Sequence, residues 1–238
     1  VVWRSVDGDV YTANELARHI EEGDEVIVPA YTYCATANVV VHCGAKPVMV
    51  DVLEDFTIDP EAVERAISPK TKAIIPVDFA GLPCHYDRLK AILDEKKSSF
   101  IPVNAVQEQL GRLLLLADAA HSFGADYNGN PAALATDVAV YSFHAVKNLT
   151  TAEGGAIAFN FDAFENAELH RHLKVLALHG QTKDAFSKMQ KGSWEYDVTT
   201  AGFKYNMPDV LAAIGLAQLR KYGQMLSRRR TIDNIYRE

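Results

Sequence analysis

Short runs of aliphatic and β-branched residues recur along the chain and predict the strands of a sheet. The runs cover residues 24–29, 46–52, 72–77, 112–118, 137–143 and 155–159. Their hydrophobic residues are continuous rather than alternating with polar ones. This pattern is typical of strands that are buried on both faces, as in a mostly parallel sheet covered by helices.

Helical patterns fill several of the gaps between these runs. Asp59 followed by Pro60 is typical of an N-cap with proline at the first helical position, and residues 85–96 and 163–178 predict two more helices. From Met207 onward the chain predicts one long helix with no strand after it. We therefore expect an α/β fold with a central sheet flanked by helices, in which residues 1–206 form a large domain and residues 207–238 form a long helix.

The composition and charge of the chain exclude several classes of protein. Hydrophobic residues make up 48% and charged residues 23% of the 238 residues, as in ordinary globular proteins. A formal net charge of −7 argues against nucleic acid as the main partner. No apolar run approaches the roughly 18 to 20 residues of a membrane-spanning helix, and the first residues lack the layout of a signal peptide. We expect a cytoplasmic protein without a membrane partner.

The cysteines and a histidine pair give no sign of a metal site. Cys34, Cys43 and Cys84 include no C-x-x-C pair, so we interpret them as buried free thiols rather than disulfides or zinc ligands. His170 and His172 lie two residues apart on a predicted helix, where they do not share a face. We interpret both as surface residues and predict no metal.

Candidate chemistry lies after two of the predicted strands. The strand over residues 112–118 ends in Asp118, and His121 follows at once. The strand over residues 137–143 contains Ser142 near its end, and Lys147 follows in a small polar loop. Ligands of open α/β sheets bind beyond the carboxyl ends of the strands, so we expect these four side chains to converge on one edge.

This set of side chains matches the requirements of pyridoxal phosphate (PLP). A lysine amine can form an imine with a carbonyl, and a carboxylate such as Asp118 can keep the pyridine nitrogen protonated. A hydroxyl such as Ser142 can donate to a phosphate, and an aromatic ring such as Tyr33 can stack on the cofactor. Taken singly, each residue has an ordinary alternative: a surface lysine, a helix N-cap, a buried histidine or a hydroxyl at a strand end.

Six ordered stretches are more specific than any single motif. They are GDEVIVPAYTYCATANVV (23–40), GAKPVMVDV (44–52), SPKTKAIIPV (68–77), ADAAHSFGA (117–125), SFHAVKNLTTAEGG (142–155) and GFKYNMPDVLAAIGLAQL (202–219). In this order they resemble the DegT/DnrJ/EryC1/StrS family of nucleotide-sugar aminotransferases. The resemblance implies the aspartate-aminotransferase fold (fold type I) and PLP as cofactor.

The resemblance also implies a role for each site residue. Lys147 would bond covalently to the cofactor and carry the proton, Asp118 would pair with the pyridinium nitrogen, and His121 would lie by the phenolic oxygen. Ser142 would bind the phosphate and Tyr33 would pack on the ring. Asn206 would reach the phosphate in the neighbouring subunit of a homodimer. These six positions are the predicted site.

The substrates implied by the resemblance are a nucleotide-linked ketosugar and an amino donor, glutamate or glutamine. Residues 142–155 are most similar to the branch that makes UDP-4-amino-4-deoxy-L-arabinose, which indicates amination at C4. A sugar dehydratase of the same family is a weaker alternative, because such enzymes replace the lysine that this chain keeps as Lys147.

Two departures from the family pattern leave a further alternative open. The segment ahead of residue 23 lacks the small-residue phosphate-binding motif of the family, and Thr12 is only a distant substitute. We expect the smaller C-terminal domain of the family to be absent or truncated in this sequence. A PLP-fold binding or regulatory module without turnover therefore stands beside the enzyme.

Overall fold

A mostly parallel six-stranded sheet forms the centre of the computed structural model, which describes residues 2–4, 10–12, 20–182 and 195–237. Its strands are β3 (Glu25–Pro29), β4 (Lys46–Val50), β5 (Thr71–Ile74), β6 (Leu114–Asp118), β9 (Val138–Ser142) and β10 (Gly155–Phe159). Two small hairpins complete the described strands: β1 (Val2–Arg4) with β2 (Val10–Thr12), and β7 (Asp126–Tyr127) with β8 (Asn130–Pro131).

The order of the strands places β6 and β9 side by side in the sheet. The order is β10-β9-β6-β5-β3-β4, and every neighbouring pair is parallel except β9 with β10. In the register of β6 and β9, Asp118 lies opposite Val140. The predicted α/β class and all six predicted strands are confirmed: β10 has the predicted bounds, and the other five differ from theirs by one to three residues at an end.

Six α-helices lie within the described residues. They are α1 (Cys34–His42), α2 (Pro60–Ala66), α3 (Tyr86–Lys96), α4 (Ala105–Leu110), α5 (Asn166–Leu176) and α6 (Asp209–Arg237). The predicted N-cap of α2 is present, because the side chain of Asp59 accepts the backbone N–H of Glu61 at 2.9 Å. The long helix expected from Met207 begins at Asp209 as α6.

Two helices were not predicted from the pattern of the sequence. Helix α1 is rich in β-branched residues and leaves Val39 and Val41 exposed, so it lacks an amphipathic stripe. Helix α4 is short and starts where the Asn104 side chain accepts the N–H of Gln107 at 3.0 Å. It ends at Gly111, whose positive φ of 66° is typical of a helix C-terminus.

The core lies on both faces of the sheet, as the continuous apolar strands predicted. One face buries Ile27, Ile74 and Leu115 with residues of α2 and α3, including Val63 and Leu89. The other face buries Val26, Val28, Ala73 and Leu114 with Val40 of α1 and Leu110 of α4. Neighbouring residues of β3 therefore alternate between two apolar layers.

Two interpretations of single residues are wrong. Of the cysteines only Cys84 is buried, whereas Cys34 and Cys43 are exposed, because α1 turns its first residue outward and Cys43 caps the end of that helix. His172 is buried, at 3% exposure, on α5 rather than on the surface. Within the described residues, no helix is long and apolar enough to cross a membrane.

Candidate active site

The carboxyl ends of β6 and β9 bring the predicted chemistry to one edge of the sheet. Strand β6 ends at Asp118 and is followed by the turn that carries His121. Strand β9 ends at Ser142, and Lys147 lies in the loop between β9 and β10. Because β6 and β9 are adjacent and parallel, both segments leave the sheet in the same direction.

The Asp118 carboxylate is held by donors on both of its oxygens. The hydroxyl of Thr36 donates to Oδ2 at 2.7 Å, and the backbone N–H of Ala120 donates to Oδ1 at 3.2 Å. Thr36 lies in α1, is 3% exposed, and shares a 2.8 Å hydrogen bond with the Thr32 hydroxyl. Asp118 therefore caps the turn after β6, not a helix, and its side chain is fixed from α1.

The His121 imidazole is also oriented by the protein. Its Nδ1 accepts the backbone N–H of Ala80 at 3.2 Å, and its ring contacts Phe79 at a centroid distance of 6.3 Å. Burial lowers the pKa of His121, the positive charge of Lys147 lowers it further, and the Asp118 carboxylate raises it. The Asp118 and Lys147 segments also leave adjacent parallel strands, which places these groups at one edge of the sheet.

The loop that carries Lys147 is fixed mainly through its backbone and its neighbours. The N–H of Lys147 donates to the His144 carbonyl at 2.9 Å, and the Asn148 amide donates to the His121 carbonyl at 2.8 Å. The Lys147 side chain is half-buried, and its amine has no hydrogen bond or ion pair within the described residues. The loop is thus tied to the His121 turn while the lysine amine is left available.

The other three predicted residues are more exposed or make fewer hydrogen bonds. The Ser142 hydroxyl accepts the N–H of His144 at 3.3 Å, at the edge where Lys147 lies. Tyr33 precedes α1 and is 79% exposed. Asn206 is exposed ahead of α6, and its side-chain oxygen accepts a hydrogen bond from Lys204. The side chain of Thr12, the distant phosphate candidate, lies outside the described residues.

Helix α6 contacts both segments of the site. The Tyr222 hydroxyl donates to the Phe123 carbonyl, and the two rings pack at a centroid distance of 5.1 Å. The Arg229 guanidinium donates to the Asn148 carbonyl at 3.0 Å. The exposed Arg228 and Arg230 flank that contact on a solvated face. The helix therefore supports the His121 turn and the Lys147 loop together.

Sequence reasoning missed Thr36, Ala80 and Asn148, which orient the predicted residues. Thr36 is 82 positions from its partner Asp118, and Asn148 is 27 positions from His121. Ala80 acts through its backbone, which carries no signal in the residue type. Only Asn148 had a local signal, because it is a polar residue directly after the candidate lysine.

These residues fit PLP in their chemistry. Asp118 is a carboxylate held by two donors, as needed opposite a protonated ring nitrogen, and Lys147 is an amine without a carboxylate partner among the described residues. His121 can donate through Nε2, because Nδ1 already accepts a hydrogen bond. Among the predicted residues, Asp118, His121 and Lys147 would hold the cofactor ring.

Comparison with known proteins identifies relatives of the same kind. The chain is 40% identical over 225 residues to MJ1066, an uncharacterised protein of Methanocaldococcus jannaschii, covering 94% of this chain and 53% of that protein. The PMP form of Spr1654 from Streptococcus pneumoniae, named as a sugar aminotransferase, shares 42% identity with a TM-score of 0.86, covering 99% of this chain and 59% of its own. CalS13, a sugar aminotransferase from Micromonospora echinospora, shares 28% identity with a TM-score of 0.74, covering 94% and 57%.

The chain matches only part of each relative, but most of the chain matches the family. The chain spans between half and three fifths of the length of these relatives. Spr1654 has been solved in a PLP form as well, with a TM-score of 0.85 to this chain. A model of the DegT/DnrJ/EryC1/StrS aminotransferase family matches residues 13–238. The chain therefore belongs to the DegT/DnrJ/EryC1/StrS aminotransferase family and has the PLP-dependent aminotransferase fold.

Proposed function

We propose that this chain carries the active site of a PLP-dependent aminotransferase that acts on a sugar. The observation that supports the proposal most directly is the grouping of Asp118, His121 and Lys147 at one edge of the sheet, where β6 and β9 are adjacent and Asn148 ties the Lys147 loop to the His121 turn. Family membership agrees with this chemistry.

Each of the three residues has a distinct task in the proposed reaction. Bound PLP supplies a ring that accepts the electrons released when the Cα–H bond of an amino donor breaks. The Asp118 carboxylate, held in place by Thr36, would stabilise a proton on the ring nitrogen. Lys147 Nζ would hold the cofactor covalently and carry the proton during transfer. His121 would orient the ring through its Nε2–H.

The finer assignments rest on the resemblance of particular segments. We propose glutamate or glutamine as the amino donor and a nucleotide-linked ketosugar as the acceptor, with amination at C4. Ser142 would bind the phosphate beside the Lys147 loop, and Tyr33 would pack on the ring. Asn206, exposed ahead of α6, would reach the phosphate in the neighbouring subunit of a homodimer.

The alternative is a binding module with the same fold and no turnover. The relatives Spr1654, CalS13 and PseC of Helicobacter pylori are all named as aminotransferases, which favours an enzyme. The retained Lys147 also argues against a dehydratase of this family. These points therefore favour amino transfer over both the binding module and the dehydratase.

The test is covalent capture of the cofactor by the lysine. The purified chain is mixed with PLP, reduced with borohydride and digested, and the modified peptide is identified by mass spectrometry. We expect the cofactor mass on Lys147, together with a visible absorption band that Lys147→Ala abolishes. Lys46→Ala is the matched control, because Lys46 is exposed at the start of β4, and its salt bridge to Glu25 is on the surface.

Amino transfer is measured on the same preparations with glutamate and a nucleotide-linked 4-ketosugar. The wild-type chain should yield the aminosugar, and Lys147→Ala should yield none. Capture at Lys147 without transfer would support the binding module instead. An unchanged absorption band in Lys147→Ala, or capture at another lysine, would contradict the proposed site.

A further inference from the structure

Asp78 is a buried carboxylate that the proposed reaction does not use. It is 2% exposed and follows β5, one position after Val77 pairs with Asp118. Its Oδ1 accepts the Tyr86 hydroxyl at 2.6 Å and the Cys84 N–H at 3.1 Å, and its Oδ2 accepts the Ser122 hydroxyl at 2.5 Å. A buried carboxylate with donors on both oxygens is costly to assemble and fixes the groups that surround it.

The segment that contains Asp78 contacts the turn after β6 at three places. The backbone N–H of Asp78 donates to the Asp118 carbonyl at 3.1 Å, where the turn begins. The N–H of Ala80 donates to Nδ1 of His121 at 3.2 Å, in the middle of the turn. The Asp78 side chain accepts the hydroxyl of Ser122, directly after His121. Asp118 and His121 are thus held between two anchored points.

The hydrogen bond from Ala80 decides the tautomer of the His121 ring. An Nδ1 that accepts an N–H carries no proton, so the neutral ring carries its proton on Nε2. Burial and the charge of Lys147 lower the pKa of His121, which favours the neutral ring. Ser122 follows His121 directly, so its hydrogen bond to Asp78 holds the backbone next to the ring.

We propose that Asp78 and Ser122 are positioning residues, which lock the turn after β6 so that His121 keeps its Nε2–H tautomer and its orientation beside Asp118 and Lys147. This inference rests on the proposed function in one respect, namely that His121 binds a cofactor. Neither Asp78 nor Ser122 touches the reacting groups. Their contribution is to hold a functional side chain in place before its ligand arrives.

Two hydroxyl deletions around Asp78 separate positioning from general support. Ser122→Ala removes the donor next to His121, whereas Tyr86→Phe removes a donor from the same carboxylate on the side of α3. Both hydroxyls are buried, with Ser122 at 2% and Tyr86 at 0% exposure. Both variants weaken the network around Asp78, but only Ser122→Ala removes a contact of the turn that carries His121.

The first readout is the ¹⁵N NMR spectrum of the histidine rings in the cofactor-free chain, with His121→Gln used to assign the signal. We expect the Nε2–H tautomer in the wild type, a mixture of tautomers in Ser122→Ala, and wild-type ring signals in Tyr86→Phe. The second readout is PLP affinity by absorbance titration. Ser122→Ala should weaken it by roughly tenfold, as when a supporting hydrogen bond of a site is lost, and Tyr86→Phe should leave it unchanged.

A conservative variant provides the rescue. Asp78→Asn keeps an acceptor for Tyr86, and its amide can donate to the Ser122 oxygen, so we expect the His121 signals to stay close to those of the wild type. Wild-type ring signals in Ser122→Ala would overturn the inference. Equal changes in Ser122→Ala and Tyr86→Phe would overturn it too, because they would indicate general loosening. If the wild type and the variants show the expected tautomers but the wild type never binds PLP, the proposed function is wrong. The positioning role of Asp78 and Ser122 is then still supported.

Discussion

The two edges of the central sheet hold their charged groups in opposite ways. At the amino ends of the strands, the Arg112 guanidinium binds both oxygens of Asp137, at 2.7 and 2.8 Å. Lys72, only 1% exposed, donates to the carbonyls of Pro69 and Ile101, each at 2.7 Å. At the carboxyl ends, Asp118, His121 and Lys147 share a site without a direct ion pair among them in the described part of the chain.

This difference separates groups that stabilise the fold from groups that are kept available. A paired guanidinium or a lysine bound to two carbonyls has its hydrogen-bonding capacity used, so it fixes the positions of chain segments. Among the described residues, the amine of Lys147 has no such partner, and the carboxylate of Asp118 accepts only from the neutral donors Thr36 and Ala120. Variants at the two edges should therefore change different measured quantities.

The largest effect is expected at Asp118. Asp118→Asn keeps the size of the side chain but removes the charge that we propose for the ring nitrogen, so it should slow the half-reaction with glutamate by about 10²- to 10³-fold. PLP capture by Lys147 should persist, and single-turnover absorbance separates the two. Asp126→Asn, an exposed aspartate in the β7 hairpin, is the control. A wild-type rate in Asp118→Asn would show that the carboxylate has no such role.

The second largest effect is expected at the amino edge, in stability rather than in rate. Arg112→Leu leaves the Asp137 carboxylate, whose side chain is 9% exposed, with the Leu115 N–H as its remaining donor among the described residues. The Arg112 side chain is 27% exposed, so we expect the free energy of unfolding to fall by about 2 to 3 kcal/mol, at or below the range for a fully buried pair.

The measurement for Arg112→Leu is urea denaturation, with PLP affinity determined in parallel. The double variant Arg112→Leu with Asp137→Leu should recover part of the loss, because no unpaired charge remains buried. PLP affinity should match the wild type in both. A loss of PLP affinity without a loss of stability would contradict the idea that the amino edge stabilises the fold and does not affect the site.

A smaller effect on the site is expected from Thr36. Thr36→Val removes the hydroxyl that donates to Asp118 and keeps the shape of the side chain. We expect a roughly tenfold slower half-reaction with glutamate, because a hydrogen bond to a charged group is worth about 1.5 kcal/mol. Thr36→Ser retains the donor and is the control. Equal rates in the two variants would mean that the hydroxyl does not hold Asp118 in the productive position.

The edge that carries the site could be predicted from sequence, but its supports could not. Asp118 and Lys147 follow continuous apolar runs, and parallel strands fix the direction in which both leave the sheet. The contact between Thr36 and Asp118 joins residues 82 positions apart, and α1 lacks the apolar stripe that would have revealed it. The pattern of single residues records strands and their ends, whereas hydrogen bonds between distant segments depend on the packed fold.

The same limit applies at the amino edge. The run over residues 112–118 was predicted as a strand from Arg112, yet the strand starts at Leu114 and Arg112 pairs with Asp137 instead. Asp137 was likewise placed in the strand over residues 137–143, which begins at Val138. A charged residue at the start of an apolar run can lie in the strand or just ahead of it. The ion pair between Arg112 and Asp137 shows that both lie ahead of their strands.

The smallest effect is expected in the pH dependence of stability. The pKa of His121 is lowered from the ordinary value of 6.5, mainly by burial. The unfolded chain therefore takes up a proton near pH 6.5 while the folded chain does not, so the stabilisation is fully present above that pH. It is lost as the pH falls through 6.5 towards the lower pKa of the folded state.

His121→Gln should flatten this dependence, measured as the free energy of urea unfolding at intervals between pH 7 and pH 5. Burial also lowers the pKa of His172, which adds a change of the same sign to both proteins, so the difference between them reports on His121. If the two curves are parallel, His121 is not titrating differently in the folded chain. The fold would then not change the pKa of His121, and the contrast between the two edges would depend on Asp118 and Lys147 alone.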